Sequence, residues 1–178
     1  MGLDLLEFTL AIEESFALYL PEADAVHLTT PGLVIDYLEK RLPPAVTPQC
    51  LDQVAFYLVR RAAMRVLEKP REAFRPNTLW TDLLPAKDRR RHWQLIQHAA
   101  AVPKWPRLSL WGSFPKDVES VGGTARFLAT RCPSAVKGQA ATWTRAEITQ
   151  VITRLMSEEL GVTSFAMGDR FVQDLGLS

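Results

Sequence analysis

The sequence predicts an all-α protein made of two four-helix bundles, one of them discontinuous in sequence. Three observations predict it. Apolar residues recur at helical spacing in every long segment, with proline and glycine between them. Charge is segregated: residues 1–47 carry eight acids and two bases, 48–135 fifteen bases and seven acids, and 136–178 four bases and five acids. The order of helix patterns also repeats, in sequence within the middle segment and across the two ends outside it.

The first helix is expected over 3–18, with Leu3, Leu6, Leu10 and Phe16 as its apolar stripe, Leu5, Phe8 and Ile12 beside them, and Asp4, Glu7, Glu13 and Glu14 on another side. Pro21 ends it. Thr30 is an N-cap with Pro31 at the first helical position, and Leu33, Val34, Tyr37 and Leu38 are the expected buried stripe of the helix that follows. The proline-rich run 42–48 reads as a stiff linker. A helix over 51–67 should bury Val54, Leu58, Ala62 and Val66. Lys87 through His92 opens another, continuing through Trp93, Leu95 and Ile96, and 102–115 should be irregular. Helix 121–131 and a second linker, 133–142, lead to Thr144, whose partner Glu147 three residues on makes a capping box for a helix carrying Ile148, Val151, Ile152, Leu155 and Leu160. Gly161 stops it.

Helix 51–67 followed by Phe74 and Trp80-Thr81-Asp82-Leu83 parallels helix 144–160 followed by Phe165 and Phe171-Val172-Gln173-Asp174-Leu175, and 32–41 parallels 122–131. Residues 1–44 with 142–178 are therefore expected to form one bundle, and 48–135 another inserted within it. The outer bundle has its beginning at the C-terminal end and its end at the N-terminal end, a circular permutation.

Composition excludes several classes. Cys50 and Cys132 match no metal or redox spacing, and His27, His92 and His98 lie in separate segments, so neither a metal site nor a catalytic triad is expected. No stretch approaches the ~20 apolar residues of a membrane span, and a cytoplasmic setting is expected. Trp80, Trp93, Trp105 and Trp111 read as core rather than as a pocket for an acyl chain. Gly122-Gly123 reads as close helix packing rather than a phosphate loop.

The stretch Leu3-Asp4-Leu5-Leu6-Glu7-Phe8 through Ala11–Phe16, then Leu20–Asp24 and Thr29–Gly32, resembles the second half of an acyl carrier protein. Glu158–Val162 and Phe171-Val172-Gln173-Asp174-Leu175-Gly176-Leu177-Ser178 resemble the first half. Joined, they cover about eighty positions. In 48–135 the resemblance rests on the helix pattern, Asp82-Leu83-Leu84 and the final helix.

The resemblance implies a non-enzymatic carrier whose serine, at the start of the second helix, receives a 4'-phosphopantetheine arm. A helix N-terminus suits the arm's phosphate. In the family motif, Asp174-Leu175-Gly176-Leu177-Ser178 supplies the first part and Leu3-Asp4 the last, with Gly2 at the modified serine and Ser178 one place earlier. Gly2 has no hydroxyl and Ser178 is displaced and terminal, so the chain is expected to carry no arm. Met1 and Ser178 should lie together. The middle unit has Pro85-Ala86-Lys87-Asp88 where a serine would follow and cannot be loaded in this way. Implied partners are acyl-transferring or acyl-modifying enzymes and a phosphopantetheinyl transferase. Asp4, Glu7, Glu13 and Glu14 are the candidate docking acids, against a solvated face as the plain alternative. Lys87, Arg89, Arg90 and Arg91 are candidates for docking on acidic protein, including the acidic module itself, against a solvated face as the plain alternative, while a nucleic-acid partner is not expected from one short basic run. The outer halves can close within one chain, giving a monomer, or exchange between two, giving a swapped dimer. The rival reading is an interaction adaptor of two unmodified carrier-like units.

Overall fold

The computed structural model describes residues 2–138 and 140–178. The chain is all-helical, in nine α-helices among the described residues. Packing divides it into two compact units, Met1–Gln49 with Lys137–Ser178, and Cys50–Val136.

In the first unit α1 spans Leu3–Phe16, α2 Glu22–Ala25, α3 Pro31–Arg41 and α9 Arg145–Glu159. Helix α1 ends at Ala17, which turns left-handed at φ 51° and returns its N–H to the Glu13 carbonyl. Its buried face is Phe8, Ile12, Ser15 and Phe16, whereas Leu3, Leu6 and Leu10 are exposed, against expectation. Apolar residues lie on nearly every side of this helix, and the face with the two aromatic rings is the one that finds partners. Phe8 meets Phe171 edge-on at 5.6 Å and Phe16 meets Trp143 at 4.8 Å. Helix α9 packs against α1 and α3 and buries Ile148, Val151, Ile152, Leu155 and Met156 behind the Thr144–Glu147 capping box. Gly161, at φ 67°, turns the chain out of it.

Thr30 caps α3 by accepting the Leu33 N–H at 3.2 Å, with Pro31 in the first turn. The buried residues are Pro31, Val34, Ile35 and Leu38; Leu33 is exposed, and Tyr37 donates its hydroxyl to Asp24 at 2.7 Å. The stripe expected here was thus rotated by part of a turn. The two expected linkers are also more ordered than the proline content implied. Pro133–Lys137 forms a short helix, α8. Trp143 donates its N–H to the Pro43 carbonyl and accepts the Ala45 N–H, each at 2.8 Å.

In the second unit α4 spans Leu51–Leu67, α5 Trp80–Leu83, α6 Arg89–Ala100 and α7 Val121–Arg131, with single 3-10 turns at Arg71–Ala73, Ala86–Asp88 and Lys116–Val118. Helix α4 packs on α6 and α7 through Leu51, Ala55, Val59, Ala62 and Ala63. Val54, Leu58 and Val66, expected inside, are only partly covered. The glycines of α7 serve a different contact: a Cβ on Gly122 or Gly123 would strike the carbonyl of Pro76 or Asp117, in the segments beside that helix. Trp80, Trp93, Trp105 and Phe114 form one aromatic cluster, with the Trp80 indole N–H on Thr124 at 2.8 Å and that of Trp93 on the Pro106 carbonyl at 2.7 Å. Trp111 stands outside it, fully in solvent, contrary to the expectation for the tryptophans.

The units share a hydrogen-bond pattern. Thr30 and Ser120 cap α3 and α7 alike, and the second residue of each helix, Gly32 or Gly122, donates its N–H to a loop carbonyl, Met167 or Pro76, at 2.8 Å. Four residues after that carbonyl, Phe171 donates to Thr29 at 3.0 Å, and Trp80 donates to Glu119 at 2.9 Å. The buried positions correspond too: Pro31, Val34, Ile35 and Leu38 in α3, and Val121, Thr124, Ala125 and Leu128 in α7.

Candidate functional site

The N-terminal end of α1 is where the two ends of the first unit meet. Ser178 donates its N–H and its hydroxyl to the same oxygen of Asp4, at 3.1 and 3.0 Å, and its carbonyl accepts the Leu5 N–H at 3.4 Å. Gly2, the N-cap, lies against Ser178 so closely that a Cβ there would overlap the Ser178 carbonyl. Met1, expected beside Ser178, lies outside the described residues. The Ser178 hydroxyl is on an exposed residue beside the start of α1, where the helix dipole favours a negative ligand.

The segment leading to Ser178 is folded on itself. Asp174 accepts the Arg170 backbone N–H at 2.8 Å and its guanidinium at 3.3 Å. Those bonds, the backbone one first, hold its carboxyl below the usual range. Asp174 thus shapes the approach to the site rather than reaching into it. Gly176, at φ 69°, and the bond from the Leu177 N–H to the Phe171 carbonyl bring the chain back toward α1, and Phe171 and Leu177 are buried. In the same unit is a cavity of about 260 Å³ lined by Leu5, Phe8, Ile12, Val34, Phe171 and Val172.

The four candidate docking acids divide. Glu7 and Glu14 are exposed, Asp4 is engaged by Ser178, and Glu13 accepts the Leu20 N–H at 2.7 Å, fixing the turn after α1. Leu3, Leu6 and Leu10, expected in the core, instead share the exposed side with Glu7 and Glu14. The signal was available: Phe8, Ile12 and Phe16, at i, i+4 and i+8, form a bulkier stripe of their own.

In the basic run, Lys87 and Arg91 are exposed. Arg89 donates to the Gly112 carbonyl at 3.4 Å and lies over the Phe114 ring, and Arg90 donates to the carbonyls of Ser109, at 2.8 Å, and Leu110. Two of the four basic candidates are therefore used first on their own loop. After Asp82-Leu83-Leu84, the 3-10 turn Ala86–Asp88 offers no hydroxyl.

Over 41 residues this chain is 48% identical to the acyl carrier protein of Amoebophilus asiaticus (strain 5a2). A region of the chain is thus similar to an acyl carrier protein. The match takes in 23% of this chain and 51% of that acyl carrier protein, so the chain spans about half the length of the curated relative it matches. No known family profile and no solved structure matches the chain. Among the described residues no group of three or more His, Cys, Asp or Glu could hold a metal ion, and no helix is long and apolar enough to cross a membrane.

Proposed function

We propose that the first unit is an acyl-carrier-like module, circularly permuted, and that the second is a degenerate module of the same design inserted between its halves. The shared caps, glycine contacts and buried positions support the common design. On this reading the protein is a non-catalytic carrier or carrier-derived scaffold that meets acyl-handling enzymes.

The observation that carries the proposal is the meeting of Ser178, Asp4 and Gly2 at the start of α1. Gly2 stands at the family's attachment position and has no oxygen to accept an arm, so covalent loading there is impossible. The hydroxyl beside it is that of Ser178. Ser178 stands one place before the attachment position, so no arm is expected on it; were a 4'-phosphopantetheine arm held there, its phosphate would lie at the helix start, with the apolar cavity of about 260 Å³ in the same unit. When bound, the arm supplies the thiol that holds the acyl group. The chain's own residues orient the Ser178 hydroxyl through Asp4 and shield an apolar tail from water.

The adaptor reading is favoured by a separate feature, the exposed Leu3, Leu6 and Leu10 beside Glu7 and Glu14, because that surface can dock a basic partner whether or not an arm is present. Intact mass after incubation with coenzyme A and a phosphopantetheinyl transferase decides between the two. A gain of one arm, lost in Ser178→Ala, is the carrier's outcome. An unchanged mass removes the loaded carrier and leaves the unloaded scaffold or adaptor.

A further inference from the structure

The turn at 109–113 in the second unit has no role in the proposed function, yet it is the most unusual surface of that unit. Leu110 and Trp111, neighbours at its tip, are 90% and 94% exposed. Two adjacent large apolar side chains left wholly in water are costly to solubility, and here the turn beneath them is fixed. The Ser109 N–H donates to the Ser113 carbonyl and the Gly112 N–H to the Ser109 carbonyl, both at 2.9 Å, while the two serine hydroxyls bond to each other at 3.0 Å. Arg90 covers the carbonyls of Ser109 and Leu110, and Arg89 that of Gly112.

The tip therefore has most of its backbone polar groups already satisfied from within, which is the condition for leaving water without unmade hydrogen bonds. Around it the charge is basic. Arg89, Arg90 and Arg91 open the supporting helix, Arg107 is exposed on the same loop, and this unit carries fifteen bases against seven acids. We propose that the Leu110–Trp111 tip is a peripheral membrane anchor that inserts into the interfacial layer of an anionic lipid bilayer, with the flanking arginines at headgroup depth. A tryptophan suits that layer, since its ring is apolar and its N–H can reach the wet side. A bilayer also explains the shape. A projecting wedge with no surrounding surface needs no complementary groove in lipid, whereas a protein hot spot is ringed by a flat rim that excludes water. One apolar wedge and one basic patch are the paired signals that stable surface binding takes.

The full chain is mixed with vesicles of phosphatidylcholine alone and of phosphatidylcholine with about one-third phosphatidylserine, and binding is read by co-sedimentation and by tryptophan emission with bromine-labelled lipid as quencher. The expected result is binding to the anionic vesicles, weakened by salt, with blue-shifted and quenched emission. Leu110→Ser/Trp111→Ser should bind at least tenfold more weakly and lose the quenching, while keeping the near-ultraviolet circular dichroism of the buried tryptophans. Equal binding by parent and double variant would overturn the proposal, because charge alone would then hold the protein. No binding to anionic vesicles would overturn it as well, and emission that shifts only with an acidic carrier domain would assign the tip to a protein partner instead.

Discussion

At Glu147 one carboxylate receives the Lys137 ammonium at 2.5 Å, the Gln49 N–H at 3.0 Å, and the Thr144 N–H and hydroxyl at 2.7 and 2.9 Å. The Lys137 and Glu147 side chains are 4% and 2% exposed, and the ammonium also lies over the Trp143 ring. Burial pushes the carboxyl's pKa up, but the bonds from Lys137, Thr144 and Gln49 outweigh it and hold it below the usual range. Lys137→Met leaves the carboxylate buried without its counter-charge and should cost about 3 kcal/mol by urea unfolding near neutral pH. A depressed carboxyl gives stability that is full above the unfolded carboxylate range and lost as pH falls through its folded value. Glu147→Gln should therefore be less stable at neutral pH and show a flatter decline into acid. The cysteines make a second test. Burial pushes the Cys132 thiol up to about 11, while Cys50 is exposed, so iodoacetamide should label Cys50 in the folded protein and reach Cys132 only on unfolding. The capping box was legible because Thr144 and Glu147 carry it within four residues; Lys137 and Gln49 were not, since no local spacing announces a partner that the fold brings in.

At the scale of elements, helix positions were legible, and the face of α9, with Ile148, Val151, Ile152 and Leu155, was too, whereas the faces of α1, α3 and α4 were not. Proline, glycine and cap residues mark ends by local chemistry, so α3, α4, α7 and α9 begin or end within a residue or two of expectation. A face is chosen by what lies opposite. In α1, leucines at 3, 6 and 10 compete with Phe8, Ile12 and Phe16, and the aromatics win by meeting Phe171 and Trp143. In α4 the buried face is Leu51, Ala55, Val59, Ala62 and Ala63, turned toward α6 and α7. The two faces of α1 give a direct comparison. Ile12→Ala should cost about 2–5 kcal/mol by thermal or urea unfolding, as for other buried aliphatics. Leu6→Ser and Leu10→Ser should change stability by less than about 0.5 kcal/mol. If the outward leucines dock a partner enzyme, the same pair of changes should abolish that binding. The site divided along the same line. Gly2, Asp4, Asp174 and Ser178 could be named from a motif, but the diversion of Asp174 to Arg170 and of Glu13 to Leu20 depends on turns that sequence spacing does not reveal.

For the whole chain, the order of the elements sets when each unit can close. The second unit is assembled from α4 through α7, consecutive in sequence, while α1 and α3 have their packing partner in α9, more than a hundred residues from both. Contacts between distant segments form late, because the entropy of closing the loop comes before any gain from the contact. A chain cut after Val136 should accordingly keep the near-ultraviolet signature of the tryptophan cluster and lose the cooperative unfolding of the first unit, since α9 is gone. On the ribosome the same order becomes a delay. At about 5–20 residues per second, α1 emerges on the order of ten seconds before α9. Through that interval Phe8 and Phe16 lack their partners Phe171 and Trp143, and with Leu3, Leu6 and Leu10 on the opposite side the nascent helix shows apolar side chains on two faces. Depletion of a holding chaperone should therefore lower the yield of the full chain far more than that of residues 50–136 expressed alone.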